Sequence, residues 1–482
     1  MWHSLSIADI NRAMADGRLS AASLTQHFLD RIGKLNQAGP QLNAVRELNP
    51  QALEIAAQLD AERAAGNVRG PLHGLPVLLK DNIATGDGMA CTAGSLALAD
   101  LRPRQDAELV RRLRTAGAVI LGKCNMTEFA DYLADIMPSE FSSAGGVVRH
   151  PHGKRYDRGG GSSVGPACAV AAGLCVAAIG SETQNSIQTP ASQSGVVGIK
   201  PTVGLVSRAG VVPLAISQDT AGPLARSVAD AAALLSALAG VDLGDSLTLN
   251  AAPYIDADYA RCLDPHALHG ARIGVPRQVY FGRPGQEATE AVIEHAIATL
   301  RTAGAIIVDP ADVPTAHEVA RLRSSVFARE FKAGLTAFLA GQGDQAPVKT
   351  LADVIAFNAA HPEQCLRYGQ LLAENANRSG SLDDRTYHAD RLRDITLTRE
   401  LGIDAVCRQY GLDALVTPGG AAAKLTGKSG YPAVTVPAGF ADDGNPVGSS
   451  FIGPAFSEPR LIALAHAFEQ ARGDLAALPD GL

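Results

Sequence analysis

Between residues 76 and 206 the chain alternates apolar runs of four or five residues with longer stretches of helical spacing. A run that short, closed by Gly or by charged residues, fits a buried strand better than a helix. Residues 76–79 (PVLL), 118–121 (AVIL) and 175–179 (CVAAI) have this form, and further strands are predicted near 195–199 and 204–206. Between them, residues 107–116 place Leu109, Val110 and Leu113 on one helical face, and 164–172 and 227–239 also read as helices. Alternation of this kind calls for an α/β architecture, with a large mixed, mostly parallel β-sheet covered by helices on both sides.

The flanks fit the same plan. Ser20 precedes a helix whose face carries Leu24, Phe28, Ile32 and Leu35, and residues 50–65 form another. From 271 to 338 the order is strand (RIGV), helix (287–303), strand (AIIV) and a long amphipathic helix; helices then dominate 351–409. Core strands resume at 414–416, 433–436 and 447–452, and a last helix covers 459–472. The 482 residues are therefore expected to form a single domain, 1–482, with a helical or α+β lobe at about 240–410 inserted in the core.

Several function classes are disfavoured. A net charge of −7 offers no basic footprint for nucleic acid or an anionic membrane. No stretch of about 20 uncharged apolar residues occurs, so no membrane span is expected. Polar residues interrupt MWHSLSIADINRAMADG every few positions, unlike a secretory signal. Seven scattered cysteines include no C-x-x-C pair, which favours a cytoplasmic location and disfavours a zinc ribbon. His150 and His152 lack an accompanying acid or thiol set and are expected in a surface loop, not as metal ligands.

Three segments bear chemistry: GLPVLLKDN ending in Lys80-Asp81-Asn82, GGGSSVGPACAVAAG from Gly159, and GSETQNSIQTPASQSG from Gly180. Burial lowers the pKa of a lysine at a strand end, and a neutral lysine is a general base. A serine becomes a nucleophile only when a base takes its proton. Taken singly, each segment has a plainer reading. Lys80 could be solvated, the Gly-Ser run a linker or a degenerate phosphate loop, and Ser186 a loop serine.

Together these segments resemble the amidase signature family. The resemblance continues in KPTVGLVSRAGVVPL from Lys200, SQDTAGPLARSVADAA from Ser217, LADVIAFN from Leu351 and GYPAVTVP from Gly430, and is nearest to bacterial peptide amidase-like members. It implies the amidase signature fold and a Ser-Ser-Lys triad. The lysine falls on Lys80, the bridging serine on Ser162 after a cis peptide bond from Gly161, and the nucleophile on Ser186. Backbone N–H groups of Thr183, Gln184, Asn185 and Ser186 would bind the oxyanion, with Ser163 supporting the turn. The implied reaction cleaves a carboxamide, such as a peptide C-terminal amide, through an acyl-enzyme to carboxylate plus ammonia or amine. It needs no metal or organic cofactor. The implied substrate is a small-molecule or peptide amide, handled by a monomer or homodimer with no nucleic acid or membrane partner.

The chain also departs from the family pattern. Gln184 and Asn185 stand where glycines are usual, and Gln188 replaces a common arginine, with Gln184 as its expected neutral partner. The stretch 419–429, which usually shapes the substrate pocket, is short. Two alternatives follow: a glutaminase subunit of a tRNA-dependent amidotransferase, or a weakly active, acyl-transferring or non-catalytic member.

Overall fold

Thirteen strands are present among the residues described, 2–283 and 285–475 of a computed structural model. They are β1 (Val45–Leu48), β2 (Pro76–Lys80), β3 (Val119–Cys124), β4 (Phe141–Ser142), β5 (Gly146–Val147), β6 (Ala177–Glu182), β7 (Val197–Lys200), β8 (Thr220–Ala225), β9 (Arg272–Gly274), β10 (Ile306–Val308), β11 (Ala414–Pro418), β12 (Ala433–Phe440) and β13 (Pro446–Ile452). Eleven of them form one sheet in the order β1-β3-β2-β6-β8-β7-β12-β13-β11-β9-β10, and β4 and β5 form a separate hairpin. This is the large mixed sheet expected, with four parallel and six antiparallel ladders among the described residues, fewer parallel than expected. Parallel ladders join β3–β2–β6 and β10–β9–β11, and the other neighbours pair antiparallel. Parallel pairing is thus concentrated toward the two flanks. In the middle, the short turn 441–445 returns β12 directly into β13, a connection only antiparallel strands allow.

Helices pack on the sheet in two sets. Val164–Ala171 and Gln188–Ser194 pack on each other, the first against β2, β6 and β8 and the second against β12 and β13. Val228–Leu238, Glu287–Thr302 and Glu458–Arg472 form the other set. Every residue of Val164–Ala171 is buried, which its small apolar side chains permit. The segment 240–410 has two parts. β9, Glu287–Thr302 and β10 extend the main sheet, whereas Val326–Gly341, Leu351–Ala360 and Leu371–Asn377 share a second apolar cluster with Phe129, Leu133 and Phe141.

This topology puts three chain segments at one edge of the sheet. β2 and β6 are parallel neighbours in register, Leu79 opposite Ile179, so both leave the sheet on the same side. Helix Val164–Ala171 feeds β6 and therefore starts at that same edge. Carboxyl ends of parallel strands are where α/β proteins gather ligand-binding loops. The helix can lie close because residue 180 is Gly: a Cβ there would sit 2.8 Å from Ser163 Oγ.

Candidate active site

β2 is apolar for four residues and then polar, so its last residue enters the edge region without leaving the protein. Lys80 is fully buried there. Its Nζ lies 2.7 Å from Ser162 Oγ, 3.0 Å from the carbonyl oxygen of Ser181 and 3.0 Å from Ser181 Oγ. Burial lowers the Lys80 pKa to about 7, against the opposing pull of Glu182, Asp219 and Asp131. Asn82, two residues on, donates through Nδ2 to Ser181 Oγ at 2.9 Å, so it acts on the lysine through Ser181. Asp81 points elsewhere, to Arg46 at 2.8 Å and to Thr92.

The Gly159–Ser163 turn brings the second group. The Gly161–Ser162 peptide bond is cis, as the family resemblance implied. Ser162 is fully buried, and its carbonyl accepts the N–H of Thr127 at 3.2 Å. Ser163 bonds two neighbouring segments. Its hydroxyl bonds the Ser181 carbonyl at 3.1 Å, and its N–H reaches the carbonyl of Ser186 at 3.2 Å. That last bond seats the Ser186 turn directly beside Ser162. Ser186 is 3 % exposed, and its hydroxyl makes no hydrogen bond to Ser162 among the described residues. Such contacts commonly tighten only when substrate is bound.

The nucleophile turn is held from several sides. Asn185 Nδ2 donates to the Gly159 carbonyl, and Thr183 Oγ1 donates to Asp219 at 2.6 Å. Glu182 accepts the N–H groups of Ile187 (2.7 Å) and Gln188 (2.9 Å), satisfying donors at the start of helix Gln188–Ser194. The N–H groups of Thr183, Gln184, Asn185 and Ser186 donate to no acceptor among the described residues. Donors left open beside a serine form a pocket suited to a developing oxyanion.

Two expectations are corrected. The Gln188 side chain does not meet Gln184; it donates to Glu182 and, at 3.0 Å, to Thr426 Oγ1. Helical geometry explains this: Gln188 opens the helix that Glu182 caps, and its side chain turns inward. His150 is not on the surface but 6 % exposed, bonded to the Gln193 carbonyl at 2.8 Å, with burial lowering its pKa to about 4. Three participants had no sequence signal of their own. Ser181 is an ordinary strand serine by pattern, Asp219 lies in an irregular turn, and Asp131 is a single acid in the mixed stretch TEFADY. Only the strand pairing and the loop packing bring them to Lys80 and Thr183.

A buried lysine bonded to the hydroxyls of Ser162 and Ser181, with Ser186 and open N–H donors alongside, brings together the groups that acyl transfer uses. The chain belongs to the amidase signature family: the amidase sequence pattern matches residues 23–429. It is an amide hydrolase by fold and family. Among solved structures it is similar to the native peptide amidase of Stenotrophomonas maltophilia, at 45% identity and a TM-score of 0.90, covering 97% of this chain and 96% of that one. It is 39% identical to a probable amidase of Arabidopsis thaliana over 97% of this chain and 90% of the relative. It is 35% identical to a glutamyl-tRNA(Gln) amidotransferase subunit of Exiguobacterium sibiricum, over 98% of each.

Proposed function

We propose that this protein hydrolyses primary carboxamides, with peptide C-terminal amides as the leading substrate class, through Ser186 as nucleophile and a Ser162–Lys80 proton relay. The observation that carries the reading is the 2.7 Å contact between buried Lys80 Nζ and Ser162 Oγ, one residue from the bond that seats Ser186. Neutral Lys80 takes the proton of Ser162 as Ser162 takes that of Ser186. The Ser186 oxygen then bonds to the amide carbon, and the carbonyl oxygen becomes an oxyanion held by N–H groups of residues 183–186. The proton returns through Ser162 to the amide nitrogen. The C–N bond breaks, and ammonia or amine leaves. Water gives a proton along the same path to Lys80 and adds to the acyl carbon; the bond from that carbon to the Ser186 oxygen then breaks as the carbonyl re-forms, the relay returns the proton to Ser186, and the acid leaves as its carboxylate.

The peptide amidase similarity at 45% identity supports a stand-alone enzyme over an amidotransferase subunit, to which the likeness is weaker. Seven free cysteines, six of them buried, support a reducing compartment and hence the cytoplasm. We place no membrane or nucleic acid among its partners and take it to act as a monomer or homodimer, which light scattering on the purified chain tests. Among the described residues no helix is long and apolar enough to cross a membrane.

A fluorophosphonate probe with ammonia release from a panel of alkyl, aryl and peptide amides tests the reaction. Wild type is expected to label and to release ammonia, and Ser186→Ala to do neither. Equal labelling of Ser186→Ala refutes the nucleophile assignment.

A further inference from the structure

One carboxylate at the site is used by none of these steps. Asp131 ends a run of three residues, Phe129, Ala130 and Asp131, with φ of 45°, 55° and 73°. Left-handed backbone is rare for such residues and costs about 1 kcal/mol or more each, so it persists only where packing enforces it. Here packing does so from both ends. The N–H of Thr127 holds the Ser162 carbonyl at 3.2 Å, and the N–H of Phe129 holds Ala93 at 2.8 Å. Beyond the turn, the Tyr132 ring stands edge-on to Phe327 and Phe331, and the Leu133 carbonyl accepts the N–H groups of Leu372 and Ala373.

Asp131 is therefore fixed between Ser162 and the helical lobe, partly exposed. Its carboxylate accepts no hydrogen bond from any described residue. The charges acting on it are those of Arg158, Glu140 and Lys80, and Arg158 itself donates to the Asp135 carbonyl. A carboxylate held here, half in solvent and without a hydrogen-bond donor from the protein, is free to take one from a bound molecule. Burial pushes the carboxyl up to about 7, which a bound cation would reverse.

We propose that Asp131 is a specificity-determining residue that receives a positively charged amine of the substrate, so that the enzyme prefers carboxamides bearing an ammonium group near the scissile carbonyl. This rests on the amide-hydrolase reading above. An ammonium supplies the donors the carboxylate lacks, within electrostatic reach of Lys80. A neutral substrate leaves the same carboxylate without a partner, a difference that a discriminating site exploits.

The test compares leucinamide, with its free α-ammonium, and N-acetyl-leucinamide, in wild type, Asp131→Asn and Asp131→Ala. Asparagine keeps the shape and tolerates left-handed backbone, so Asp131→Asn separates charge from folding. The wild-type ratio of kcat/KM, free amine over acetylated, is expected to fall by about tenfold or more in Asp131→Asn. The loss should lie mainly in KM for the free amine. An unchanged ratio in Asp131→Asn overturns the proposal while leaving amide hydrolysis standing. Failure of wild type to cleave either compound, or any amide in the panel, overturns the hydrolase reading and this proposal with it.

Discussion

Lys80 has three hydrogen-bond partners, and their chemistry fixes what its nitrogen does. The Ser181 carbonyl can only accept, so it takes one N–H. Ser181 Oγ receives Asn82 Nδ2 and has a second lone pair for another Lys80 N–H. With both N–H groups so used, a neutral amine directs its one lone pair at Ser162, the arrangement a proton acceptor requires. Two predictions follow from this geometry. Activity should rise with pH through about 7, where Lys80 loses its proton, and a flat profile from about pH 6 to 9 excludes the relay. Ser181→Ala should lower kcat by roughly 10- to 100-fold and shift that rise to another pH, while Lys80→Ala should cost at least ~10³-fold. The same burial has a stability signature. Unfolded Lys80 stays protonated up to about pH 10, whereas the folded residue is neutral above about 7, so the unfolded state binds more protons across that window. Wild-type stability measured against Lys80→Met should therefore climb as pH rises from about 7 to 10, which thermal melts at several pH values would reveal.

The nucleophile turn is shaped by the short helix Ala423–Ser429, whose Gly427 lies against it. A Cβ at residue 427 would come 2.7 Å from the Thr183 carbonyl and 2.8 Å from Gln184 Cα. Gly427→Ala should favour the helix by up to about 1 kcal/mol through propensity. It should also push the open N–H donors out of place. The expected outcome is a fall in kcat of about tenfold or more with little change in Tm, checked by kinetics and melting of one preparation. The stretch 419–429, short in sequence, thus acts on the catalytic turn and not only on the pocket wall. Elements of the chain are unequally legible. Helix 227–239 is readable almost to the residue because Ser227 caps it and its apolar face is continuous. β8 is not: Gly222 and Pro223 read as loop, yet they sit in mid-sheet between β6 and β7. Residue 222 must be glycine-sized because the Ile199 carbonyl presses on it, a demand set by a neighbour 23 positions away. Conversely, the strand expected at 204–206 is present only as isolated bridges from Val206 to Val203 and Ala239.

Across the molecule, the helical lobe and the catalytic edge are tied by polar contacts. Arg391 donates to the carbonyls of Lys428 and Ser217, and Glu330 accepts from Ser217 N–H and Tyr387. Beneath them, Lys428 meets Asp394 at 2.7 Å with both side chains at least nine-tenths buried. Removing one partner of such a pair strands the other charge, so Asp394→Ala should cost about 3–5 kcal/mol and lower Tm and activity together. The pair Asp394→Leu with Lys428→Met should recover most of that stability, as denaturant titration would show. The primary sequence alone determined the α/β class, the approximate positions of most strands and the order of the three chemical segments, because periodicity and Gly-Ser turns are local properties. Only the tertiary structure decided that Lys80 is dry, that Ser181 and Asn82 orient it, that Gln188 turns to Glu182 and Thr426, and that Asp131 stands unpaired beside them. Desolvation and hydrogen-bond partnership depend on which distant segments share an edge of the sheet, and strand pairing, not neighbouring residues, sets that.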